Sequence, residues 1–183
     1  TSGRFNQLIN EVELDGDRFI KKITGTIQAN YAKSPYFKEY FLSFVETFSN
    51  SVKSRKLLNT NIALIIWLMK EIGIEREIIL SSDLDTIGTK SKKVISLCQS
   101  VCATQYIAPN GSKDYMTDEY SLFEKSKLDA RIHAYNHPIY NQNFQPFIPY
   151  ASAIDLIMNE GNKSLDIIRS GRKPTISLKK LIE

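Results

Sequence analysis

The sequence predicts an α/β fold of the Rossmann-like three-layer kind, with a parallel sheet and a helix-rich N-terminal half. Three observations predict it. Between Glu77 and Tyr135, short β-favouring runs alternate with helical period in the order β-α-β-α-β. The connections between them are short, which favours parallel pairing through crossover helices. Before them, residues 15–73 carry three successive stretches of helical period.

Taken in order, Ile9 to Leu14 alternates apolar and polar residues and reads as a strand, and Asp15-Gly16-Asp17 supplies a turn and a helix cap. Phe19, Ile20, Ile23 and Ile27 recur at helical spacing. Ser34-Pro35 then reads as an N-cap with proline in the first turn, ahead of an aromatic stripe of Phe37, Phe41, Phe44 and Phe48. A stripe of this kind is core, because Phe is among the most buried residue types. A third helix from Leu57 stops at Gly73 and is apolar over more than one stripe, so it is expected to be buried on two sides. Glu77 to Ser81, Thr104 to Ile107 and Ala130 to Tyr135 are the predicted parallel strands. The helices between them lie at Thr89 to Cys102 and Tyr120 to Lys127. A stretch rich in Asn, Pro, Tyr and Gln leads from Asn136 into a last helix near Ser152 to Asn159, closed by Gly161.

The 183 residues, 42% hydrophobic and 24% charged, match a single globular domain spanning 1–183. The longest apolar run, Ile62 to Met69, has eight residues, against about 18–20 for a bilayer span. A net charge of +4 permits phosphate-bearing ligands but does not indicate a nucleic-acid binder. Cys98 and Cys102 stand four apart on one predicted helix and read as free core thiols, which suits a reducing, cytoplasmic setting. The chain opens Thr1-Ser2-Gly3-Arg4, with neither Met nor a leader pattern, and reads as starting partway through a gene product. The composition is compatible with an oligomer.

Two loops run from predicted strands into helices, one ending at Gly88-Thr89 and one at Ala108 to Lys113, and parallel strands would set both on one sheet edge. Gly88, Thr89, Lys90 and Ser91 open a helix with bare N–H groups, hydroxyls and a nearby run of lysines, a recipe for holding an anion. The same residues also read as an ordinary Thr89 cap followed by a solvated lysine turn. They are not a P-loop, because Asp83 stands where the first glycine belongs. His133 and His137 are the side chains whose ordinary pKa suits proton transfer near neutrality. No Cys, Asp or Glu lies at ligand spacing from them, which argues against a metal site, and His133 reads as structural. Ser152-x-x-Asp155 has the form of a capping box. No nucleophile elbow, zinc-protease motif or dinucleotide fingerprint is present, and no cofactor is named by any motif.

Several segments carry a resemblance when taken in order. They are Leu8 to Leu14, Asn30-Tyr31-Ala32-Lys33-Ser34-Pro35-Tyr36-Phe37, the helix at Asn61 to Trp67, Ser81 to Leu84, His137-Pro138-Ile139-Tyr140-Asn141-Gln142, and Phe147 to Gly161. With these the chain resembles the WbqC-like family of bacterial proteins, encoded among genes for O-antigen and other surface polysaccharides. Members usually begin with a His-Gln-Pro-Asn-Tyr-like motif similar to the His loop of nucleotidylyltransferase-type folds. Nothing of that kind precedes Leu8, so the front part is expected to be missing. The family's Gly-rich loop stands here as Ala108 to Tyr115, keeping Gly111 and Tyr115. The resemblance implies a transferase that moves an amino acid such as glycine, or an acyl group, onto a sugar or nucleotide sugar. In that reading His137 is the base, Tyr140 and Gln142 orient the acceptor hydroxyl, and Asp155 is a further catalytic candidate. Gly88, Thr89, Lys90, Ser91, Gly111, Lys113 and Tyr115 hold the ligand's phosphates. The alternative is a non-catalytic interaction or assembly module of the same synthesis.

Overall fold

The computed structural model describes residues 7–182. The described residues form two compact units, 7–75 with His137–Ser170, and Arg76–Asn136 with 171–182. They are called here the helical unit and the sheet unit.

The helical unit is built on α1 (Gly16–Tyr31), α2 (Phe37–Val52), α3 (Leu57–Glu71), α7 (Ala153–Glu160) and α8 (Ser164–Ser170). Helix α2 buries Tyr40, Phe44, Phe48 and Val52 at i, i+4, i+8 and i+12. The predicted aromatic stripe is therefore core only in its second half. Phe37 and Phe41 are half-buried and stack on each other with centroids 4.4 Å apart. Phe44 meets Trp67 of α3 edge-on at 5.5 Å and Phe48 meets Phe19 of α1 at 5.6 Å, so three helices share one aromatic seam. Such ring pairs add roughly 0.5–1.5 kcal/mol each beyond burial. Ile157 and Met158 of α7 complete this core.

Two expectations fail in this unit. Residues Ile9–Glu11 form a 3₁₀ turn, closed by the Leu8 N–H donating to Glu11 Oε2 at 3.1 Å, and only Glu13 makes a β-bridge, to Lys56. The alternation at 9–14 lacked a neighbouring strand to pair with. Helix α3 is not buried on two sides, since Ile65 and Ile66 remain 51% and 52% exposed. It does stop where predicted, with Gly73 at φ 75° and Ile74 N–H closing on the Met69 carbonyl at 2.7 Å.

The sheet unit contains α4 (Lys90–Ser100), β1 (Gln105–Ala108), α5 (Lys113–Asp118), α6 (Tyr120–Ser126), β2 (Asp129–Ile132) and β3 (Ile176–Ser177). Strands β1 and β2 pair in parallel with Gln105 opposite Asp129 and Ala108 opposite Ile132, as the β-α-β rhythm predicted. The third strand is a different one. Glu77 to Leu80 forms no ladder and runs into a 3₁₀ turn at Ser81–Asp83, whereas β3 pairs antiparallel with β2. The fold is α/β and helix-rich, but its sheet is small and mixed instead of wholly parallel. Its core is Cys98, Ala108, Met116, Phe123, Leu128, Ala130, Ile132 and Leu178. Cys98 is buried as expected and Cys102 is exposed, because α4 ends at Ser100 and Cys102 lies beyond it in the left-handed region.

Candidate functional site

The helical unit brings together three of the residues singled out by sequence, His137, Tyr140 and Gln142, with the fourth, Asp155. Helix α7 starts at Ser152, whose Oγ accepts the Ile154 N–H at 3.3 Å. The serine half of the predicted capping box is therefore present. The Asp155 half is not, because its side chain turns inward instead. Asp155 Oδ2 accepts the Tyr140 hydroxyl at 2.7 Å and Gln142 Nε2 at 2.9 Å, and Oδ1 accepts Asn159 Nδ2 at 3.3 Å. A buried carboxylate demands such partners, since leaving it unpaired in low dielectric is costly. These donors are all neutral, so its negative charge acts on whatever lies beside it.

That charge is visible in the tyrosines. Tyr140 is pushed up to about 12, first by burial and then by its hydrogen bond to Asp155. Tyr31, at the end of α1, is likewise pushed up to about 12 by burial and by the nearby Asp155 carboxylate. Both hydroxyls stay protonated near neutral pH and serve as donors.

Gln142 locks the loop. Its amide donates to the Ile148 carbonyl at 3.0 Å, and its Oε1 accepts the Ile148 N–H at 2.8 Å, so one side chain closes a six-residue excursion. One turn along α7, Glu160 is also buried, and its Oε1 accepts both the backbone N–H and the Nδ2 of Asn141, at 2.8 and 3.0 Å. His137 sits at the rim among aromatic rings, 4.8 Å from Tyr150 edge-on and 6.0 Å from Phe147. Its Nε2 accepts the Tyr150 N–H at 3.1 Å, which occupies the lone pair a base would use. His133 is exposed in the sheet unit and its ring stacks on Tyr135 at 5.7 Å.

The remaining predicted ligand residues belong to the sheet unit. Gly88 has φ 84°, and a Cβ there would meet Lys92 Cβ at 2.8 Å, so glycine is required where the chain turns into α4. Thr89 occupies the cap position without a side-chain capping bond, Lys90 is exposed at φ 49°, and Ser91 is fully buried. Gly111 lies in the 3₁₀ turn after β1, and Lys113 and Tyr115 are exposed on α5. The sheet-edge argument reaches only this second loop. The first follows an unpaired segment, so no strand end aims it. Among the described residues no group of three or more His, Cys, Asp or Glu is arranged to hold a metal ion, and no helix is long and apolar enough to cross a membrane.

The model of the WbqC-like protein family matches residues 1–167. The chain belongs to the WbqC-like family. A relative from Mycobacterium tuberculosis (strain ATCC 25618 / H37Rv), described as uncharacterized protein Rv1507c, is 26% identical over 178 residues, covering 93% of this chain and 73% of the relative. No solved structure matches. Within this WbqC-like chain, sequence reasoning missed Tyr31, Asn141, Asn159 and Glu160 as parts of the site. One signal was available: Asp155 and Asn159 stand four apart in a short helix otherwise rich in apolar residues, so polar side chains share a face that has to be buried.

Proposed function

We propose that this WbqC-like chain is a transferase of bacterial surface-polysaccharide synthesis, one that moves an amino acid or acyl group onto a sugar or nucleotide sugar bound at the His137–Asp155 cluster. The observation that carries the reading is the Tyr140–Asp155–Gln142 triangle, a buried carboxylate held by a hydroxyl and an amide beside an imidazole. In this reading His137 takes the proton from an acceptor hydroxyl as that oxygen attacks the acyl carbon of an activated donor, the bond from that carbon to the donor's leaving group breaks and the leaving group departs with the electron pair, while Tyr140 and Gln142 orient the hydroxyl. Nε2 must first exchange the Tyr150 N–H for the acceptor. That exchange is easy to reach, because Tyr150 is 78% exposed and sits at φ 60°, a conformation that is strained for a non-glycine residue.

In the sheet unit taken by itself, Gly88, Thr89, Lys90 and Ser91 are proposed to hold a phosphate on the first turn of α4, and Gly111, Lys113 and Tyr115 a second contact after β1. A second reading, a non-catalytic assembly module, is favoured by a different feature of the same cluster: Asp155 finds all its donors inside the protein. One assay separates them. The protein is incubated with nucleotide sugars and an activated amino-acyl or acyl donor, and transfer is followed by mass. Transfer that falls at least tenfold in His137→Ala supports the transferase. Activity unchanged in His137→Ala rejects the site, and no transfer to any acceptor, with stable self-association, favours the module.

A further inference from the structure

A concavity lies in the helical unit, away from the His137 cluster, where the short bridge between Glu13 and Lys56 ties the start of α1 to the end of α2. The Leu14 N–H donates to the Arg55 carbonyl at 2.9 Å, and Arg55 N–H returns to Val52 at 2.8 Å, so both chain segments are fixed there. The cavity has a volume of about 500 Å³, within the ~300–1,000 Å³ range of small-molecule sites. Charged groups dominate its wall: Asp15 and Asp17 from the start of α1, Arg18 from its first turn, and Lys53 and Arg55 from beyond α2.

These charges are not spent on one another. Among the described residues, Asp15, Asp17, Arg18 and Arg55 make no ion pair and no side-chain hydrogen bond, and Asp15 makes no capping bond although it holds the cap position. Lys53 alone is engaged, donating to Asn50 Oδ1 at 2.8 Å. The helix dipole accounts for aspartates at this end of α1, but it leaves Arg18 unexplained, because a cation in the first turn opposes that dipole. Gly16 adds space: a Cβ built on it would meet nothing within 4 Å.

We infer that this cavity binds a small zwitterion of the amino-acid or short-peptide class, its ammonium group set against Asp15 and Asp17 and its carboxylate against Arg18 and Arg55. A polyanion is a poorer match, since two carboxylates line the same wall, and a simple cation is poorer still beside three basic groups. Only a ligand carrying both signs meets both sets at once, and charge-assisted bonds of both signs give it orientation as well as affinity. The inference concerns binding alone and stands whether or not the chain is a transferase.

The test is calorimetric titration of the whole chain with dialanine, N-acetyl-dialanine, dialanine amide and inorganic phosphate. Dialanine is expected to bind, and each singly charged analogue to bind at least tenfold more weakly. The pairs Asp15→Asn with Asp17→Asn and Arg18→Gln with Arg55→Gln are each expected to weaken dialanine at least tenfold while the unliganded melting temperature stays within a few degrees. The four replaced side chains are exposed and unbonded, so folding does not depend on them. Phosphate binding as well as dialanine, the acetylated or amidated peptide matching it, or no binding of dialanine would each overturn the inference.

Discussion

The two units solve the problem of burying polar groups in opposite ways. In the helical unit an aromatic seam across α1, α2 and α3 makes a deep core, and α7 pushes Asp155, Asn159 and Glu160 against it, with Asp155 and Glu160 accepting from the loop at 140–142 and Asn159 donating to Asp155. In the sheet unit the core is built on four-residue strands and single aromatics such as Phe123, and the lysines and aspartates of its loops stay at the surface. A thick apolar core can hold a carboxylate rigidly because every surrounding dipole is itself fixed by packing. A thin one leaves charged groups in water, where they are screened and adaptable. The face of α7 thus offers prearranged polar groups, while the loops of the sheet unit, like the start of α1, offer charges that stay in water.

Substitutions can break that comparison. The largest expected effect is in the seam: Phe44→Ala should cost about 3–5 kcal/mol in chemical denaturation, because Phe44 is fully buried and touches both Phe48 and Trp67. Phe37→Ala, on the half-buried edge of the same stripe, should cost clearly less. Equal losses at both positions would show that the seam is not where the stability lies.

Next comes Gly161→Ala, expected to cost about 2–3 kcal/mol by denaturation. Its φ is 56°, and an added Cβ would run into the ring of Tyr36, whose own N–H is tied to Met158. Removing a hydroxyl from the polar cluster should do less. Tyr140→Phe takes one donor from Asp155 and is expected to cost about 1–3 kcal/mol. A neutral outcome there would mean that water replaces the hydroxyl and that the cluster is wetter than its burial implies.

Alkaline titration sharpens the comparison further. Tyr31, Tyr40 and Tyr140, all in the helical unit, are pushed from the ordinary value of 10.0 up to about 12, chiefly by burial. Their raised values stabilise the fold fully below pH about 10. Between about 10 and 12 the unfolded chain ionises first, so that contribution is lost as pH rises. The unfolding midpoint in denaturant should fall steeply across that interval, and tyrosinate absorbance should show a class ionising late. The smallest effect is chemical: Cys102 should react with a thiol reagent in the native state while Cys98, buried and with its thiol pushed up, waits for unfolding. Two fast thiols would show that the thin core of the sheet unit opens readily.

Local pattern was legible wherever one element sufficed to express it. Six of the helices, the stop at Gly73, the cap at Ser152 and the parallel pairing of the segments near 105 and 130 could be read from period, cap chemistry and connection length, whereas the short helices α5 and α8 could not. The candidate cluster was legible only in part. His137, Tyr140 and Gln142 were singled out through a family resemblance, and Asp155 was read both as a catalytic candidate and as the second half of a capping box because spacing alone cannot say which way a carboxylate turns.

What the sequence by itself determined is thus the longer helices, one β-α-β unit and the family. Period, capping and turn chemistry act over a few residues, and the chain carries them wherever it goes. Tertiary structure decided the rest, because those outcomes depend on partners distant in sequence. Glu77 to Leu80 found no strand to pair with and stayed single, while Ile176–Ser177, too short to announce itself, became a strand beside β2. Asp155 became the hub of a buried network because Tyr140 and Gln142 arrive, more than ten residues upstream, at the face of α7 that packing had already turned inward.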